Sequence, residues 1–187
     1  MDLPRIIFLV SGKRKSGKDY TVEKIKESIG VHCEIVRISA PIKTHWANNL
    51  GLNLNELLGD GPYKEKYRVD MIKWSDEIRQ KDYGYFCKAA CKDATKKFIW
   101  IVSDTRRKTD LKWFRETYGE KIKTIRVTTS NEIREQRGWI FKTGVDDSIS
   151  ECDLDDVNEW DYVINNTPQN YETDLSKVLT YMKTFVV

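Results

Sequence analysis

No apolar run in this sequence approaches the roughly 20 residues that a membrane-spanning helix needs. The N-terminal run Ile6–Val10 is too short for the core of a signal peptide, and no small-residue cleavage site follows it. Histidine is scarce, and the two present, His32 and His45, have no ligand partners at useful spacing, so both read as structural. The four cysteines, Cys33, Cys87, Cys91 and Cys152, show no paired metal spacing. Cys87 and Cys91 stand four apart and share a helix face, which suits ordinary apolar thiols in a reducing compartment. Internal repeats, low-complexity tracts and Pro/Gly/Ser linkers are also missing. The expectation is a non-membrane, intracellular chain.

The chain has 187 residues, enough for one domain with a full core, and 40% hydrophobic and 11% aromatic residues exclude disorder. A net charge of +3 implies neither nucleic acid nor membrane. Its distribution says more. Basic residues gather at Lys13–Lys18, Arg106–Lys108 and Arg134–Arg137, and acidic ones between Asp146 and Asp161.

Periodicity predicts strands at Arg5–Val10, Cys33–Ile38, Phe98–Val102, Ile122–Val127 and Trp160–Ile164. It predicts helices over Lys18–Ile29, Thr109–Tyr118 and about Tyr171–Phe185, a short charged helix capped by Ser130, and a long helical stretch over 41–95. Strands alternating with helices imply an α/β fold with a parallel sheet covered on both faces. Ligands of such sheets bind beyond the carboxyl ends of the strands. Gly12, Asp104 and Asn166 each follow a strand end, so they should converge.

Gly12-Lys13-Arg14-Lys15-Ser16-Gly17-Lys18-Asp19 fits the phosphate-loop pattern G-x-x-x-x-G-K, with Asp19 in place of the usual Ser/Thr. Glycines let backbone N–H groups turn inward around phosphate oxygens, and the following helix adds its positive end. Lys18 would then neutralise charge on the transferred phosphate, and ATP is the implied donor. A carboxylate is a hard oxygen ligand, so Asp19 is a candidate Mg²⁺ ligand, directly or through water. Its alternative is an acid that only complements the helix dipole. Asp104 reads as a second acidic group near Mg²⁺ or a holder of arginines, or else as a helix cap.

Arg106 and Arg107 follow a strand end at a helix start, where positive charge opposes the dipole and so points to an anion. Arg134 and Arg137, three apart, either swing onto phosphates as part of a lid or pair with Glu132 and Glu135 in solvent. Trp46, Trp74, Trp113 and Trp139 read as core or interface residues.

The segment Ser11-Gly-Lys-Arg-Lys-Ser-Gly-Lys-Asp19 resembles the phosphate loop of animal phosphomevalonate kinases, aspartate included. So do Tyr63-Lys64-Glu65, Asp70-Met71-Ile72, Val102-Ser-Asp-Thr-Arg-Arg107, Trp113-Phe-Arg-Glu116, Gln136-Arg-Gly-Trp139 and Gly144-Val-Asp-Asp147, in family order. The resemblance implies a nucleoside-monophosphate-kinase-like P-loop fold made of one domain, with an acceptor-binding insert at about 41–95 and a lid at about 130–144. It implies transfer of the ATP γ-phosphate to the phosphate of (R)-5-phosphomevalonate, giving 5-diphosphomevalonate in the mevalonate route to isoprenoids and sterols. Lys18 and Asp19 would serve ATP–Mg²⁺. Lys64, Arg68, Arg79, Arg106 and Arg107 would serve the acceptor, Arg134 and Arg137 would come from the lid, and Asn166 would line the nucleotide end. Some family members end in a peroxisomal Ser-Lys-Leu signal. The ending Thr184-Phe185-Val186-Val187 is not that address, which favours the cytosol.

The chemistry agrees with the resemblance. A phosphate acceptor is already a nucleophile at neutral pH, since its second pKa is near ~6. It needs no general base, and neither a His–Asp pair nor a kinase catalytic loop is present. Alternatives are a kinase for another small phosphorylated acceptor, such as a nucleoside monophosphate, or a nucleotide-binding module without turnover. The lack of an Asn-Lys-x-Asp motif argues against a GTPase switch. Without a long heptad or exposed apolar stripe, a monomer is expected.

Overall fold

The computed structural model describes residues 4–59 and 61–186. Val187, the last residue of the tetrapeptide that argued against a peroxisomal address, lies outside them. Five strands form one sheet: β1 (Ile6–Ser11), β2 (Cys33–Val36), β3 (Ile99–Val102), β4 (Ile122–Thr128) and β5 (Tyr162–Asn165). The order across the sheet is β2-β3-β1-β4-β5, and every pairing is parallel. The expected α/β fold is therefore observed, with β1 at its centre.

Helix α1 (Lys18–Ile29) carries the chain from β1 to the β2 edge. The connection from β3 through α6 (Lys108–Tyr118) crosses to the other side of β1, at β4. The crevice where the connections diverge therefore opens beside the end of β1, where ligands bind in open α/β sheets. Alternation along β1 sorts the core into two layers. Ile6, Phe8 and Val10 pack with Val22, Ile25 and Ile29 of α1 and with Leu175, Val178 and Met182 of α9 (Tyr171–Lys183). Ile7 and Leu9 face the other way, against Leu111, Trp113 and Phe114 of α6. All five of these β1 residues are at most 2% exposed, which makes the strand a rigid base for the loop that follows.

The helical stretch between β2 and β3 divides into α2 (Ala40–Leu50), α3 (Leu54–Leu58), α4 (Pro62–Lys81) and α5 (Tyr85–Lys92). Gly51, with φ +63, ends α2, and the Asn53 side chain caps α3 by accepting from Asn55 and Glu56 N–H. The Ser130 hydroxyl caps α7 (Asn131–Gln136) by accepting from Ile133 N–H, as expected. A single-turn helix, α8 (Ile149–Cys152), has no periodic signal in the sequence. Among the described residues, no helix is long and apolar enough to cross a membrane.

The histidines stack on aromatic rings, His32 on Phe98 and His45 on Trp74. Cys33 and Cys87 are buried and all four thiols are free, with burial raising that of Cys87. Trp113 is core, as expected. Trp139 instead donates from its indole to Asp146 at 2.9 Å and carries the Arg134 guanidinium on its face at 3.8 Å.

Candidate active site

The loop from Gly12 to Lys18 wraps the end of β1. Gly17 has φ +91 and opens α1 without any side-chain cap, so the helix presents its first-turn N–H groups to the loop. A Cβ on Gly12 would meet Ser16 Oγ at 2.7 Å and Val127 O at 2.8 Å, and one on Gly17 would meet Asn166 Nδ2 at 1.9 Å. The loop is thus pressed against the ends of β4 and β5 at the two positions where only glycine fits. Ser16 Oγ is buried within it and has no hydrogen-bond partner in the protein. Glycine-only approach, an uncapped helix start and an orphaned hydroxyl together fit a phosphate group.

Lys18 is 6% exposed and reaches across the sheet, donating to Ser103 O at 2.8 Å at the end of β3 and pairing with Asp19. Asp19 is solvent-exposed but sits in the concave wall of the cleft. Partial desolvation there opposes its charge. Lys18, Arg106 and Lys64 outweigh that and hold its carboxyl below the usual range, so it is ionised at neutral pH. Asn166, at the end of β5, donates to Ser16 O at 2.8 Å, and Asp104 lies in the cleft wall with Lys18 and Asp19.

A cavity of about 370 Å³ continues from Lys18 and Asp19, floored by α4 and walled by the β3–α6 turn and α8. Lys64, Arg68, Arg79, Arg106 and Arg107 all line it. Arg68 pairs with Glu65, Arg79 with Asp110 at 2.6 Å, Arg106 with Glu151 and Arg107 with Asp76. The sequence therefore located the cations but not these carboxylates, which lie up to 45 residues away along the chain. The anion expected at the start of α6 is supplied from within the protein. Asp110 also accepts the backbone N–H groups of Arg106 and Arg107, which fixes both arginines at the mouth of α6. Burial lowers the pKa of Arg107, against the pull of Asp76. Arg79 Nε is buried without a partner.

Asp104 lines the same cavity, and its two oxygens accept from Ile38 N–H (2.7 Å) and Ser39 N–H (2.9 Å). It therefore pins the turn between β2 and α2 and caps neither α2 nor α6. Among the described residues, no three His, Cys, Asp or Glu side chains form a metal cage. An ionised carboxylate beside a phosphate loop still suits Mg²⁺, which keeps its waters and binds through one or two carboxylates plus phosphate oxygens. Asp19 meets that requirement.

Arg134 and Arg137 turn toward the phosphate loop rather than to Glu132 or Glu135, Arg134 buried and Arg137 exposed. Arg134 is 5% exposed and donates to Arg14 O (2.8 Å). Arg137 donates to Lys15 O (3.2 Å) and Ser16 O (3.0 Å). Both arginines thus grip the carbonyl side of the phosphate loop. Arg14 pairs with Asp146 at 2.8 Å and Lys13 with Asp155 at 2.6 Å, so the acid-rich segment after β4 clasps the loop from outside.

The profile of the phosphomevalonate kinase family matches residues 10–120. A Drosophila melanogaster phosphomevalonate kinase is 55% identical over 166 residues, covering 86% of this chain and 87% of that protein. The Mycobacterium tuberculosis APS kinase, solved in complex with AMPPNP and APS, superposes with a TM-score of 0.51 at 12% identity, over 96% of this chain and 99% of that one. A Thermus thermophilus protein superposes with a TM-score of 0.50 at 16% identity, over 96% of both chains. At such identities these two structures share the fold alone.

Proposed function

Because the chain belongs to the phosphomevalonate kinase family, we propose a division of labour for its cleft in the transfer of the ATP γ-phosphate to the phosphate of phosphomevalonate. The enzyme is an ATP-dependent kinase, and its product is 5-diphosphomevalonate. The observation that carries the division is continuity: the glycine-only cradle and the arginine-lined cavity meet at Lys18 and Asp19.

On the donor side, the loop formed by Gly12, Lys13, Arg14, Lys15, Ser16 and Gly17 holds the phosphates of ATP, with the Ser16 hydroxyl free to donate to them and the Arg14 N–H held back by Glu151. Lys18 leaves the Ser103 carbonyl to follow the charge that develops on the transferred group. Asp19 would hold Mg²⁺ or its waters, with Asp104 as a second acid within the same crevice. When bound, the ion supplies charge neutralisation between the phosphates. Arg134 and Arg137 stiffen the loop from the segment 130–144, which serves as a lid, and Asn166 closes the nucleotide end.

On the acceptor side, the insert 41–95 contributes Lys64, Arg68 and Arg79, and the β3–α6 turn contributes Arg106 and Arg107. The acceptor brings a phosphate and a carboxylate into a site next to a polyanion. The obstacle is repulsion, and a set of fixed cations removes it. The carboxylates paired with these arginines hold the guanidiniums in orientation at the cavity wall. We place the enzyme in the cytosol as a monomer.

Arg107→Met tests the acceptor assignment. The side chain keeps its bulk and loses its fork. Steady-state kinetics should show the KM for phosphomevalonate rising about tenfold or more while that for ATP changes by less than about threefold. Equal losses for both substrates would assign Arg107 to the loop or the fold instead.

A further inference from the structure

We propose that Glu151 is a positioning residue that ties Arg106 to the phosphate loop and so sets the separation between the donor and acceptor phosphates. Glu151 lies in α8, 7% exposed, and each of its oxygens has one partner. One accepts the backbone N–H of Arg14 in the phosphate loop, 137 residues away, and the other accepts from the Arg106 guanidinium, 45 residues away. A single side chain thus joins the two halves of the cleft.

A buried carboxylate beside a site for two polyanions is costly unless it arranges something. Its surroundings show what it arranges. Arg126 lies close enough to both Glu151 and Arg106 to feel attraction from one and repulsion from the other. Arg126 also donates to Ser11 Oγ at 2.9 Å and to Asp155, which binds Lys13. Without the Glu151 charge, Arg106 would keep the repulsion of Arg126 and lose the ion pair that holds it at the cavity wall. With it, the Arg106 side chain stays 29% exposed there, open on one side to a ligand. Misplacement of such a group appears in turnover, because alignment of the reacting phosphates is what the link controls.

The inference rests on the reading of Arg106 as an acceptor-side residue, and a double-mutant cycle separates the two. Glu151→Gln keeps the shape but turns one oxygen into an NH₂ that confronts a donor on whichever side it points. Glu151→Asp keeps the charge but shortens the reach, and serves if the glutamine variant melts early. Each should lower kcat about tenfold, leave the KM for ATP within about twofold, and lose nothing further when combined with Arg106→Met. A kcat loss as large in the Arg106→Met background as in wild type would overturn the positioning role alone. So would tighter ATP binding with unchanged kcat, since the carboxylate would then be competing with phosphate. Wild-type kinetics for Arg106→Met by itself would overturn the Arg106 reading, and this inference with it.

Discussion

Lys18→Met is expected to lower kcat by about 10²-fold or more while the protein stays folded. Lys18 is nearly buried, and its ammonium is held by the Ser103 carbonyl and Asp19 at the junction of cradle and cavity. Methionine fills most of its volume, so the core layer beneath α1 persists and the circular dichroism spectrum and melting temperature should change little. The substitution removes the one loop cation that spans from β1 to the end of β3, where the transferred group passes. Asp19 also loses its nearest positive partner, so its carboxyl pKa should rise toward the ordinary value. A folded Lys18→Met enzyme with turnover near wild type would remove Lys18 from the mechanism.

Gly17→Ala should be comparably damaging, for a steric reason. Gly17 adopts φ +91, and an added Cβ would lie 1.9 Å from Asn166 Nδ2 and 3.3 Å from the Arg137 guanidinium. The left-handed conformation costs a non-glycine residue roughly 1–2 kcal/mol. The clash must also break the Asn166 bond to Ser16 O or shift the loop. A displacement of about 1 Å at a reacting group is enough for a loss of about 10²-fold. Gly51→Ala is the matched control. Gly51 is also left-handed, with φ +63, but a Cβ there meets nothing within 4 Å. It should lower the melting temperature modestly and leave kcat/KM unchanged. If Gly17→Ala behaved like Gly51→Ala in kinetics, the loop would not be the closely fitted cradle described above.

Much of the fold was legible because its signals are local. β1 is a fully buried run, and α1 begins at Lys18 and ends at Ile29 as its period requires. The misjudged boundaries have tertiary causes. β2 ends at Val36 rather than Ile38, because Asp104 takes the N–H groups of Ile38 and Ser39 out of the ladder. β5 begins at Tyr162, since Trp160 is held in the preceding loop by its bond to Val157 O and by Arg126 over its ring.

At the site, glycine and lysine spacing revealed the phosphate loop, the adjacent pair Arg106-Arg107 marked the β3–α6 turn, and Lys64, Arg68 and Arg79 were singled out by the family resemblance alone. Their carboxylate partners were not legible. Glu151 and Asp110 belong to no motif, and their roles come from chain segments brought together only by the sheet. The excess of acid between Asp146 and Asp161, opposite so many basic loops, was the one available signal. It marked the clasp but not which residue closes it.

This cleft is proposed to move the γ-phosphate of ATP onto the phosphate of a small carboxylate-bearing acceptor. The most direct measurement is a panel of phosphomevalonate, mevalonate, AMP, CMP and UMP at equal concentration with ATP and Mg²⁺, with each product identified. Phosphomevalonate should have the highest kcat/KM by far and yield 5-diphosphomevalonate. Mevalonate lacks the nucleophilic phosphate that the arginines would position. A nucleoside monophosphate lacks the carboxylate that would complete the set of contacts to these cations, and its base would have to be accommodated in a cavity of about 370 Å³. A nucleoside monophosphate that outcompetes phosphomevalonate in kcat/KM would contradict the acceptor assignment.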